Sequence, residues 1–159
     1  MNYYFVGLLV ICAAYAFIAG GFPERIGAAV YALSVAATYL VLWSESSEWR
    51  TLEFGVFIVD AVVFVAFVFL ALRANRFWPI WVSGLLGLGL FGHMARLAGP
   101  TVIPWAYAVV LTIWSYPILA IIALGTFNHH RRIRRNGSDP SWSRSSGRSP
   151  PTPPSMPMP

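Results

Sequence analysis

The chain has 159 residues, 57% of them hydrophobic and only 11% charged, with a formal net charge of +5. That balance leaves little for a water-soluble domain. All eleven basic residues are Arg, and six of them follow residue 130, so the positive charge belongs to the C-terminal segment rather than the body. A nucleic-acid function is excluded on this pattern, because it would need a basic, aromatic-bearing face on a folded domain. The absence of Lys points to a GC-rich coding bias and a bacterial source. Cys12 is the one cysteine and lies inside an apolar run, so no intrachain disulfide can form.

Five apolar runs fill residues 3–127, each about the length a helix needs to cross a hydrocarbon core of roughly 30 Å at 1.5 Å per residue. They are apolar on every side, unlike the one-sided stripe of a helix on a soluble core. The sequence therefore predicts an all-α, polytopic transmembrane bundle with spans at about 3–19, 26–43, 52–72, 77–97 and 101–127.

The first span, from Tyr3 to Ala19, is preceded by no basic segment and reads as a retained helix rather than a signal peptide. Gly20–Arg25 forms a turn, with Pro23 where a new helix can begin. In the second span Ala28, Ala32 and Ala36 recur every four residues, a small-residue stripe suited to close helix packing. Residues 44–51 are a polar loop, and Thr51 and Glu53 suit the start of the third span as cap and dipole partner.

The third span is rich in Val and Phe and is interrupted once, by Asp60. After the turn at 73–76, the fourth opens with Phe77, Trp78 and Trp81, an interfacial aromatic belt. It carries Gly84, Gly87, Gly89 and Gly92, and Gly84, Gly87 and Gly89 form a second packing surface. The fifth span holds Pro117, predicted to kink it near Ile113.

With the C-terminus inside, the inner segments carry nine Arg: Arg25, Arg73, Arg76 and the six of the tail. The outer segments carry Arg50 and Arg96 only. The positive-inside rule thus gives an outside N-terminus and a cytoplasmic C-terminus, in a multi-pass protein of the bacterial inner membrane. Residues 128–159 change character abruptly and predict a disordered, basic, Ser/Pro-rich cytoplasmic tail. Within it Arg131, Arg132, Arg134 and Arg135 suit anionic lipid head groups, and His129 and His130 belong to that basic cluster rather than to a metal site.

An ionisable group inside a bilayer is costly and turns toward protein or water. Asp60 and His93 lie on consecutive spans, roughly 9 Å and 6 Å below the outer end at helical rise. They are expected to meet in an outward-facing polar pocket with Tyr39 and Tyr107 at similar depth. Glu53 and Arg96, on the same faces nearer the surface, suit an interfacial ion pair.

Such a pair either pins two helices or relays protons. A b-type haem lacks a second axial ligand, since His93 and the adjacent Met94 point about 100° apart. No phosphate loop, nucleophile elbow or zinc-protease spacing occurs. No catalytic residue, cofactor or metal is predicted. The leading expectation is a non-enzymatic structural or accessory component, with the bilayer, anionic head groups and a homo-oligomer or larger membrane complex as partners. The alternative is a small transporter or proton-linked module built on Asp60 and His93. A membrane enzyme or quinone-type redox subunit would rest on the same pair alone.

Overall fold

The computed structural model describes residues 3–43, 49–98, 113–137, 139 and 142, with the backbone only at 49–53, 97, 98 and 136. Among them are five helices: α1 (Tyr3–Ala19), α2 (Phe22–Trp43), α3 (Trp49–Arg73), α4 (Trp78–Ala98) and α5 (Ser115–Asn136). No named strand occurs among the described residues. α2 and the Phe54–Arg73 stretch of α3 are long and apolar enough to cross a membrane, while α1 is apolar but shorter.

The described helix ends at 20–22, 73–80 and Gly137 have local reasons. At the end of α1 the Gly20 amide still bonds the Ala16 carbonyl at 3.0 Å. A side chain at Gly20 would run into that same carbonyl. α2 starts at Phe22, earlier than expected, because Pro23 in its first turn needs no hydrogen-bond partner for its nitrogen. The turn after α3 is tight: the Ala74 amide bonds the Leu70 carbonyl at 2.8 Å, and α4 is under way by the Ile80 amide to Phe77 carbonyl bond at 3.2 Å.

Residues 101–112 of the expected fifth span lie outside the described residues. The helix is interrupted at Trp114, beside Ile113 where the kink is expected, while the Trp114 backbone stays in the right-handed helical region (φ −71°, ψ −18°) and Pro117 stands in the first turn of α5. A proline ring clashes with the carbonyl four residues back, here Ile113, which accounts for an interruption at that point. At the other end the helix continues past residue 127 to Asn136. Arg134 and Arg135 in the last turn complement the helix dipole. Gly137 then closes the helix in the left-handed region (φ 71°), its amide bonding the Ile133 carbonyl at 2.9 Å.

The helices form a ring in chain order, with α1 against α2 and α5, α3 against α2 and α4, and α4 against α5. α2 also touches α5 across the ring, which fills the middle. Successive helices alternate in direction: Val41 near the end of α2 lies against Gly55 near the start of α3, and the rings of Phe5 and Tyr116, early in α1 and α5, meet edge-on at 5.4 Å. The ends of α1, α3 and α5 and the starts of α2 and α4 therefore share one end of the bundle. Arg25, Arg73, Arg76, Arg131, Arg132, Arg134 and Arg135 all lie there, which makes it the basic end.

The core is a narrow seam. Phe5, Leu9, Cys12 and Ala16 supply one face of α1, and Ala28 and Tyr31 come from α2. Val63, Phe67 and Leu70 supply α3, Val82 and Trp78 α4, and Ile118, Leu119 and Ile122 α5. Large apolar side chains also cover the outside, among them Tyr4, Ile18, Leu40, Val62, Leu72, Phe91 and Leu124. Phe67 and Phe69 provide an internal comparison. Phe67 is buried against Trp78, ring centroids 6.2 Å apart, while Phe69 is 57% exposed. Phe67→Ala should cost about 3 kcal/mol in denaturant unfolding from detergent or lipid, and Phe69→Ala much less. Equal losses would show that the seam is not where stability resides.

Candidate functional site

Two polar centres interrupt this apolar bundle. The first joins α3 to α4. His93 Nε2 lies 3.0 Å from Asp60 Oδ2, with the imidazole buried and the carboxylate 32% exposed. Phe57, one turn before Asp60, sets its ring edge-on to the imidazole at 5.7 Å. His93 is fifteen residues along α4 from Trp78, about 22 Å from the basic end at helical rise.

The expected companions of this pair are described only in part. Tyr39 is half-buried on α2 and hydrogen-bonds neither Asp60 nor His93. Tyr107 and the Glu53 side chain lie outside what is described, so the Glu53–Arg96 pair does too, although Arg96 itself is half-buried near the end of α4. Of the four residues assigned to the pocket, the structure brings together Asp60 and His93.

The small-residue stripes divide between inside and outside. Ala28 is buried and shares a crevice with Leu9, Cys12, Leu119 and Ile122 of α1 and α5. Ala32 packs at the edge of the core, and Ala36 is exposed. A Cβ at Gly87 would meet Phe64 at 3.4 Å, whereas Gly84 and Gly89 face open space.

The second centre, at the basic end, was not anticipated from the sequence. Glu24 in the first turn of α2 is fully buried, and Arg76 in the α3–α4 turn is 7% exposed. Arg76 Nε donates to Glu24 Oε1 at 3.1 Å, and the Trp78 indole Nε1 donates to the same oxygen at 3.1 Å. The guanidinium also grips Asp139, beyond the end of α5, as a two-pronged fork: NH1 to Oδ1 at 3.0 Å and NH2 to Oδ2 at 2.8 Å. NH1 further donates to the Asn75 carbonyl at 3.1 Å. His129, buried on α5, sets Nδ1 2.8 Å from Asp139 Oδ2 and 3.1 Å from Arg76 NH2. Its tautomer chooses between donating to the carboxylate and accepting from the guanidinium. Arg132 stands 3.8 Å from Asp139 at the exposed rim.

Close backbone approach makes this centre possible. A Cβ at Gly21 would fall 2.8 Å from His129 Cε1 and 2.9 Å from Glu24 Oε2. The Trp78 ring is wedged between Gly27 of α2 and Gly125 of α5, with no room for a Cβ at either. Trp78 is therefore a core residue, not the belt residue expected, while Phe77 and Trp81 remain exposed beside it. His129 likewise departs from the expected surface basic cluster and is buried, whereas Arg131, Arg132, Arg134 and Arg135 are exposed. Beyond the helix, Asp139 is held by this centre and Trp142 stacks edge-on with Phe22 at 5.6 Å. Trp142 also pairs with Ala74 in an isolated antiparallel bridge. These two residues of the tail are thus docked on the bundle. The one available sequence signal was that Glu24 and Asp139 are the only acids among the nine arginines assigned to that side.

Neither centre forms a nucleophile–base arrangement, and no metal-binding group of three or more His, Cys, Asp or Glu occurs among the described residues. No family model, curated protein or solved structure matches the chain.

Removing one member of a buried ion pair leaves its partner's charge stranded, at a cost of about 3–5 kcal/mol. Arg76→Met should therefore destabilise the protein on that scale, read as the unfolding free energy in detergent. Arg73→Met, which removes a charge lying over the Phe69 ring at 4.8 Å, should cost under about 1 kcal/mol. Comparable effects would remove Arg76 from its central place.

Proposed function

We propose that this chain is a multi-pass protein of the bacterial inner membrane that acts as a non-enzymatic structural or accessory component, packing with further copies of itself or with a larger membrane complex. The observation that carries this reading is the outer surface. On every helix, large apolar side chains point away from the seam, including Tyr4 at 90% exposed, Leu40 at 72% and Leu72 at 75%. Acyl chains or neighbouring helices suit such a surface better than water does.

Five crossings follow if all five helices lie in the bilayer, with the alternating directions of the ring giving an odd number of passes. The collection of Arg25, Arg73, Arg76 and the α5 arginines at one end supports a cytoplasmic basic end and an outside N-terminus. The outward-facing small residues Gly84 and Ala36 supply contact points that the monomer leaves open. Asp60 adds to this: its carboxylate stays one-third exposed on α3, beside the apolar Phe57, Val59 and Ala61 in sequence, where a neighbouring helix would shield it from lipid.

Gly84→Leu and Ala36→Leu fill open space and should leave folding intact while weakening association, seen as loss of cross-linked oligomer or of co-purifying protein in mild detergent. Unchanged association for both would count against these faces. Cysteines placed at 46 and at 155 should be labelled by impermeant reagent from opposite sides of the membrane; labelling from one side would reject the odd number of passes.

The 3.0 Å contact of Asp60 and His93 favours one second reading, a small transporter or proton-linked module. On that reading Asp60→Asn abolishes pH-dependent transport in vesicles and leaves the folded protein in place. Wild-type behaviour of the variant removes it.

A further inference from the structure

We propose that Arg76, His129 and Arg132 form an anion-binding seat at the basic end, which the chain's own Asp139 occupies as an internal ligand. The seat takes a carboxylate or a phosphate monoester. It goes beyond the accessory reading and rests on it only for the membrane setting.

The geometry of Asp139 is that of a bound anion rather than of a chance surface contact. Both of its oxygens are engaged, Oδ1 by Arg76 NH1 at 3.0 Å and Oδ2 by Arg76 NH2 at 2.8 Å. Oδ2 also meets His129 Nδ1 at 2.8 Å, and Arg132 NH1 stands 3.8 Å from Oδ1. The Asp139 side chain is 7% exposed although only one residue separates it from the Gly137 cap. A planar guanidinium fork with an imidazole and a second guanidinium at its side is the donor set that recognises carboxylate and phosphate oxygens.

The seat is aimed independently of its occupant. Arg76 is oriented from behind by Glu24 on Nε and by the Asn75 carbonyl on NH1. Glu24 is in turn fixed by the Trp78 indole. His129 is carried by α5, where it packs over Gly21. Removing Asp139 would therefore leave a buried guanidinium still pointing at the same place, without the carboxylate it now grips. Glu24 offsets one of the two guanidinium charges, so the open seat stays net positive and suits an anion.

The occupant is also releasable. Asp139 is tethered just beyond Gly137, and its segment has a second anchor in the Trp142–Phe22 and Trp142–Ala74 contacts. A tethered ligand competes at an effective concentration on the order of millimolar. An external anion must displace it, and displacement frees Asp139 and Trp142 together from the bundle end, a strap release. Two sources could supply the anion: a lipid phosphate, since the seat lies beside the exposed Arg131, Arg134 and Arg135, or a soluble phosphate or carboxylate.

The experiment uses the full chain in phosphatidylcholine nanodiscs. Inorganic phosphate is titrated against wild type, Asp139→Ala and the double variant Asp139→Ala/Arg132→Ala, with binding read by calorimetry. The expected result is saturable binding to Asp139→Ala at least about tenfold tighter than to wild type, weakened again in the double variant. In a second arm, nanodiscs containing phosphatidic acid replace added phosphate. Strap release is read as a fall in disulfide yield between cysteines at 22 and 142 in a Cys12→Ala background that keeps Asp139. This arm still tests the proposal if Asp139→Ala does not fold. Release by phosphate alone assigns a soluble ligand; release by phosphatidic acid alone assigns a lipid head group. Equal phosphate binding by wild type and Asp139→Ala, or an undiminished disulfide yield with both anions, overturns the seat.

Discussion

A single guanidinium governs the basic end of this molecule. Arg76 serves two carboxylates from opposite ends of the chain, Glu24 at the start of α2 and Asp139 after α5. With Glu24 fully buried, the pairing is obligatory, because an unmatched carboxylate there would carry its full desolvation cost. The position of α2 relative to the α3–α4 turn follows from that pair. Trp78 is then drawn in by its own bond to Glu24, and its bulk requires the glycines at 27 and 125. Packing at this end is thus set by electrostatics first and shape second.

The two polar centres have different structural reach. Asp60 and His93 connect neighbouring helices that a short turn already holds together, and their loss would leave the ring closed. The cluster around Arg76 joins α2, the α3–α4 turn, α5 and the segment beyond it, elements 52, 53 and 63 residues apart in sequence. On the proposed membrane reading, apolar surfaces gain little by meeting each other, and such long-range polar contacts carry more of the burden of specifying the arrangement.

What the sequence disclosed divides along the same line. The apolar runs, the turns at Gly20–Gly21 and 73–76, and the meeting of Asp60 with His93 were readable because each depends on local composition or on adjacent helices. The cluster was not. Glu24, Arg76 and His129 all sit in short polar segments, where exposure to water is the simpler reading of a charge, and only the closed ring brings them together. Trp78 departs from expectation for a related reason, since a tryptophan at a span end belongs to the interface unless two distant glycines make room for it inside. The end of α5 carries a helix-stop pattern, a run of arginines followed by Gly137, but the change in hydropathy at residue 128 points to an earlier boundary.

The wedge of Trp78 between two glycine-bearing helices has a mechanical consequence. Where backbones approach that closely and a buried charge network clamps them, the helices have almost no freedom to splay. Relative tilting of α2, α4 and α5 must pivot about that clamp, so displacement grows with distance along the helices. The far mouth of the bundle, on the side of the aspartate and imidazole, is where the ring can widen at least cost.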